Sequence, residues 1–115
     1  MAKKHDARVL DRLAATIEAR RGDDPEKSYT DKLLSRGTKH VAKKLSEESA
    51  EAVIDAVSGN KAGLVRESAD MLYHLLVLGE DAGIAPAQVW AELARREGTS
   101  GIAEKRARGM KPKKS

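Results

Sequence analysis

The chain has 115 residues, 40% apolar and 35% charged, with only three aromatics: Tyr29, Tyr73 and Trp90. That is the length of one ordinary domain, and so few aromatics argue against a β-sandwich or barrel. Zero Cys excludes a disulfide scaffold, a thiolate zinc site and a cysteine nucleophile, and the net charge of +4 sits in the tail, since six Lys or Arg and one Glu give residues 104–115 a charge of +5 and leave −1 on the other 103.

The near-neutral body gives no reason to require nucleic acid as a partner. No basic-plus-apolar signal opens the sequence and no apolar run is long enough for a bilayer. A cytoplasmic protein without a membrane partner is expected.

The sequence reads as helices throughout. Asp6 is placed to cap a first helix through Leu10, Leu13, Ala14 and Ile17. Gly22, Asp23, Asp24 and Pro25 break it. Ser28 to Asp31 has the form of a capping box, with Asp in the Glu position, opening a short helix through Leu33 and Leu34. Gly37 ends it, and Thr38 is expected to cap a third helix running to Ser58. Gly59 stops that helix and Asn60 caps a fourth, which carries Leu64, Val65 and the run from Met71 to Leu78. Pro86 suits the first turn of a fifth helix, with Val89, Trp90 and Leu93 on one stripe. After the turn at Gly98, Thr99, Ser100 and Gly101, a short helix to Arg108 is expected. The division expected is one all-α domain over 1–105 and a basic, disordered tail over 106–115.

The chemistry lies on the third and fourth helices. Glu47, Glu48 and Glu51 form an E-E-x-x-E pattern. At about 100° per residue, Lys44, Glu47, Glu48, Glu51 and Asp55 share one arc of the third helix. Val41, Leu45, Ala52, Val53, Ile54 and Val57 take most of the remaining circumference. Glu67 and Asp70 form an E-x-x-D pattern on the fourth helix, with His74 one turn further on. Any one of these carboxylates fits a solvated face, with Lys43–Glu47 and Lys44–Glu48 pairing at i+4. Jointly they would face one another across an antiparallel bundle and repel. A divalent cation removes that repulsion. Oxygen ligands without Cys favour magnesium, or manganese, over zinc, and magnesium binds substrate phosphates alongside a few carboxylates.

Four segments resemble a known family: K-K-L-S-E-E-S-A-E at 43–51, E-S-A-D-M-L at 67–72, L-A-R-R-E-G-T-S-G-I-A-E-K at 93–105, and S-Y-T-D-K-L-L at 28–34. They look like phosphoribosyl-ATP pyrophosphatase of histidine biosynthesis, within the all-α, MazG-like nucleotide pyrophosphohydrolases. The acidic pair of motifs points to the superfamily, and R-R-E-G-T-S-G to the histidine-pathway member. Leu45-Ser46, where Val-Gly is expected, and Ser49 depart from the family pattern without touching a carboxylate. The resemblance implies a MazG-like helical bundle that hydrolyses the α–β phosphoanhydride of phosphoribosyl-ATP. It implies metal binding at Glu47, Glu48, Glu51 and Asp70, with Glu67 as a ligand or orienting group. Glu48 is the first choice to take a proton from the attacking water, making Glu48, Glu51 and Glu67 the catalytic candidates.

Other residues carry less. Lys32, Lys39 and Lys43 are placed to reach phosphates, or to be solvated. Arg95, Arg96 and Ser100 flank a Gly-rich turn whose N–H groups suit an anion, or simply stop a helix. His74 fits a satisfied core histidine and Trp90 a core stripe. Tyr29 offers a ring to a base, although packing is the commoner role. A related enzyme acting on damaged nucleoside triphosphates, or a non-enzymatic helical module with a nucleic-acid-binding tail, are the alternatives. The wide apolar circumference of the third and fourth helices predicts a homodimer.

Overall fold

Two 21-residue helices, α3 (Thr38–Ser58) and α4 (Lys61–Asp81), form the central antiparallel pair of a computed structural model that describes residues 5–22 and 24–109. Around them stand α1 (Arg8–Arg20), α2 (Tyr29–Arg36), α5 (Pro86–Arg95) and α6 (Gly101–Ala107). Among the described residues there is no strand, and no helix is long and apolar enough to cross a membrane. The all-α class expected from the sequence is the one observed.

Local chemistry sets most boundaries. The Asp6 carboxylate accepts the Arg8 N–H at 2.9 Å, at the entry to α1. Gly59 takes a left-handed conformation with φ 77°, which only glycine adopts cheaply, and so ends α3. The Asn60 side chain then accepts the Gly63 N–H at 3.0 Å and starts α4. A two-residue connection forces the two long helices to return side by side.

Two expected caps work differently. Ser28 Oγ accepts the Asp31 N–H at 3.2 Å, but the Asp31 carboxylate does not reach back to Ser28. It accepts the Gly22 N–H at 3.0 Å instead, tying the end of α1 to α2. Thr38 is the first residue of α3 rather than its cap, a place taken by Gly37. Its hydroxyl donates to Asp81 at the far end of α4. Arg21 adds a bond to the Glu80 carbonyl at 3.0 Å, so the end of α4 is held by both α1 and α3.

The core is small. Ile17, Leu33, Val41 and Val77 are fully buried, with Leu13, Leu34, Tyr73, Leu76 and Leu78 packed against them. It joins α1 and α2 to the α3–α4 pair. By contrast Val53, Ile54 and Val57 on α3 are 63%, 64% and 85% exposed, and Val65 on α4 is 70% exposed. A cavity of about 320 Å³ opens between α1, α4 and α5, lined by apolar side chains that include Leu10, Leu72, Leu75, Ile84 and Trp90. Trp90 is half-buried on its wall, not in the core as its stripe suggested, because no residue of α5 is buried. The radius of gyration is 16.7 Å, against about 13 Å for a close-packed domain of this length.

The last helix runs through Arg106 and Ala107, two residues past the boundary drawn at 105. The remainder of the basic tail, from 110 onward, lies outside the described residues.

Candidate active site

The packing of α3 on α4 rotates one acidic stripe toward the other. Glu48 from α3, and Glu67 and Asp70 from α4, each present a carboxylate oxygen within 4.8 Å of the other two. Glu67 Oε2 is buried and has no hydrogen-bond partner. A carboxylate oxygen shut away from water among other carboxylates is a costly arrangement unless a cation joins it.

The electrostatics agree with the geometry. Contact with Glu48 raises the Glu67 carboxyl above the usual carboxylate range, and burial adds to it. Contact with Glu67, and then its charge, raises Glu51 in turn. Glu51 therefore stands next to Glu67 and is exposed, but it is not among the three carboxylates whose oxygens converge. Three or four hard oxygen donors from two rigid helices fit a magnesium or manganese ion, and no soft ligand is present.

The other candidate residues fall into separate places. Glu47 is not among the converging oxygens and stands 3.9 Å from Lys43 and 3.8 Å from Lys44. The expected Lys44–Glu48 pair is thus replaced by an i+3 pair, because Glu48 is turned toward α4. Lys39 is exposed on the first turn of α3, and Lys32 is exposed on α2. Arg95 bonds Glu92 at 2.6 Å and also the buried Glu104, while Arg96 bonds Glu92 at 3.1 Å. Arg108 completes this network at 3.2 Å from Glu104. Ser100 Oγ accepts the Ala103 N–H at 3.1 Å and caps α6. Glu92 and Glu104 went unremarked in the sequence, although Glu92–Arg96 and Glu104–Arg108 both have ion-pair spacing.

His74 is buried one turn beyond Asp70, and its Nδ1 lies 2.8 Å from the Asp70 carbonyl. Its ring packs edge-on against Tyr73 at 5.3 Å. Its Nε2 is buried without a hydrogen-bond partner, so the residue is only half of the satisfied core histidine that the sequence suggested.

The family model for phosphoribosyl-ATP pyrophosphohydrolase matches residues 10–97, which span the triad and the arginine pair. The phosphoribosyl-ATP pyrophosphatase of Azospirillum brasilense is 63% identical over 91% of this chain and 95% of its own length. That of Paramagnetospirillum magneticum is 56% identical over 92% and 97%. That of Gluconobacter oxydans is 55% identical over 87% and 75%. With a family match across most of its length and relatives this similar, the chain belongs to the phosphoribosyl-ATP pyrophosphohydrolase family.

Proposed function

We propose that the chain hydrolyses phosphoribosyl-ATP to phosphoribosyl-AMP and pyrophosphate, an early step of histidine biosynthesis, as a magnesium-dependent homodimer in the cytoplasm. The family match over residues 10–97 carries the activity, and the buried, partnerless Glu67 oxygen beside Glu48 and Asp70 supports the metal. Manganese would suit the same oxygen set.

Glu48, Glu67 and Asp70 would hold the ion, with Glu51 beside them. Glu47 would join only by leaving Lys43 and Lys44. When bound, the ion would neutralise charge that builds on the phosphoryl oxygens as the anhydride breaks. The protein's own groups do the rest. Glu51 lies outside the tight triad and reaches solvent, so it suits proton acceptance from the attacking water better than Glu48 does. Lys39 and Lys43 lie on the turns of α3 that lead to the triad, where they would attract and hold an anionic substrate. The reaction needs no covalent intermediate.

Val53, Ile54, Val57 and Val65 would be covered by a second copy across a twofold axis, since all four are large apolar side chains left exposed on the α3–α4 pair. The test is pyrophosphate release from phosphoribosyl-ATP, with and without magnesium, against a panel of ordinary nucleoside triphosphates. Release from phosphoribosyl-ATP alone supports the reading. Equal turnover of ordinary triphosphates would instead mark a broader nucleotide pyrophosphohydrolase, and no turnover at all would refute the activity.

A further inference from the structure

A polar cleft of about 300 Å³ lies at the start of α2, lined by Pro25, Glu26, Lys27, Ser28, Tyr29 and Lys32. Neither Lys27 nor Lys32 forms an ion pair among the described residues. Two uncommitted cations therefore share a concave surface with an aromatic ring.

That ring is unusually placed. Tyr29 is 53% exposed, so packing does not account for it. It is nonetheless held firmly from one side. Its centroid is 6.1 Å from that of Tyr73, with the planes 22° apart, and the His74 ring meets it edge-on at 6.3 Å. Both supports are fixed in turn. The Tyr73 hydroxyl and Thr30 Oγ1 are hydrogen-bonded at 2.6 Å, and the His74 ring is buried and bonded to the Asp70 carbonyl. An exposed ring on a rigid backing is preorganised for stacking, because little freedom remains to be lost on binding.

His74 also connects this ring to the acidic site. Asp70 lies one turn of α4 away. The Tyr29 ring therefore connects the acidic site to the lysine cleft, since it lines that cleft and meets His74, which sits one turn of α4 from Asp70. Phosphoribosyl-ATP is connected in the same way. Its triphosphate leaves one side of the purine, and its second ribose, with a phosphate of its own, leaves the other.

We propose that Tyr29 stacks on the purine and that Lys27 and Lys32 bind the phosphate of the second ribose. The cleft is then the subsite that separates phosphoribosyl-ATP from ordinary ATP, which has no group to place there. This rests on the activity proposed above and adds the residues that select its substrate.

The experiment is steady-state kinetics on the full chain with phosphoribosyl-ATP as substrate and ATP as competing inhibitor. Tyr29→Ala should raise KM and weaken ATP inhibition about tenfold each, with kcat within about twofold. Tyr29→Phe, which keeps the ring, should restore both. The double variant Lys27→Ala/Lys32→Ala should raise KM for phosphoribosyl-ATP at least about tenfold, leave ATP inhibition unchanged and flatten the salt dependence of KM. Tyr29→Leu keeps apolar bulk without a flat ring and replaces Tyr29→Ala if that variant fails to fold. The proposal is overturned if ring removal leaves KM within twofold, if millimolar ATP does not inhibit, or if lysine removal weakens both nucleotides equally. A wild-type chain inert toward phosphoribosyl-ATP refutes the activity itself. An active wild type with any of those three results refutes the subsite alone.

Discussion

Glu67 on α4 meets Glu48 on α3 across the helix pair, with Glu67 Oε2 buried and lacking any hydrogen-bond partner. Like charges held this close oppose folding, and a cation that binds only the folded arrangement should reverse the effect. Glu67→Gln keeps the shape and removes one charge. The metal-free variant should melt at or above the wild-type temperature. Magnesium should shift its melting far less, and pyrophosphate release should fall by about a hundredfold or more. Glu51→Gln should cut turnover comparably while retaining more of the magnesium shift, because Glu51 stands outside the triad. Glu18, exposed on α1, is the control and should change neither. Normal turnover with an unchanged magnesium response in Glu67→Gln would show that the carboxylates are a solvated face.

The exposed apolar surface on α3 and α4 predicts self-association. Val57 is 85% exposed, so Val57→Glu removes little packing within the protomer. In a dimer interface it would bury an unpaired charge. Sedimentation of the wild type at micromolar concentration should show a dimer, and Val57→Glu should shift it to monomer with the same helical content. A wild type that sediments only as monomer would rule out the interface.

The Glu92–Arg95–Glu104 network predicts a weakness in acid. Hydrogen bonds from Arg95, and then from Arg96, lower the Glu92 carboxyl from 4.5 to about 2. Arg95 likewise lowers Glu104. A depressed carboxylate contributes stability that is fully present above its ordinary value and lost as pH falls toward the folded one. The Arg95–Glu104 bond should therefore hold α6 on α5 above pH 4.5, the ordinary value for Glu104, and be lost as the pH falls below it. Protection of the α6 amides, measured against the intrinsic exchange rate at each pH, should fall over that window in the wild type. Glu104→Gln should show weaker α6 protection than wild type at neutral pH, with the difference narrowing as the pH falls below 4.5. Equal α6 exchange rates at pH 7 in both proteins would show that the network holds nothing.

The elements were legible in the sequence where glycine, proline and asparagine punctuate it. Gly37, Gly59, Asn60 and Pro86 mark helix ends by backbone chemistry that acts within a few residues. The two acidic stripes were legible for the same reason, since helical spacing fixes which side chains share a face. What was not legible is the rotation of α3 against α4. That rotation turns Glu48 inward and leaves Glu47 with Lys43 and Lys44, although both glutamates belong to one stripe. Contacts across long loops were equally hidden. Thr38 reads locally as a cap, and only the return of α4 brings Asp81 to its hydroxyl. Arg95 and Arg96 read as free phosphate ligands because the turn that delivers Glu104 to Arg95 cannot be traced from spacing.

The same network sets where the chain can be cut. Arg108 bonds the buried Glu104 at 3.2 Å, and Glu104 is otherwise shared with Arg95. Removing residues 110–115 takes three lysines and no member of this network. It should leave the magnesium-induced melting shift and turnover within about twofold, with some loss of solubility through lost charge. Removing everything after Lys105 is different. It deletes Arg108 and the last turn of α6, so the buried Glu104 keeps one cationic partner where it had two. Losing part of the compensation of a buried charge is costly, and the helix end is lost with it. The shorter protein should melt lower and show faster amide exchange at α5, while its acidic triad on α3 and α4 still binds magnesium. Comparing the two truncations separates the tail from the latch. If removing 110–115 alone abolishes turnover in a protein that still folds, the site extends into the tail. If the cut after Lys105 leaves melting and α5 exchange unchanged, Arg108 and Glu104 contribute nothing to holding α6 in place.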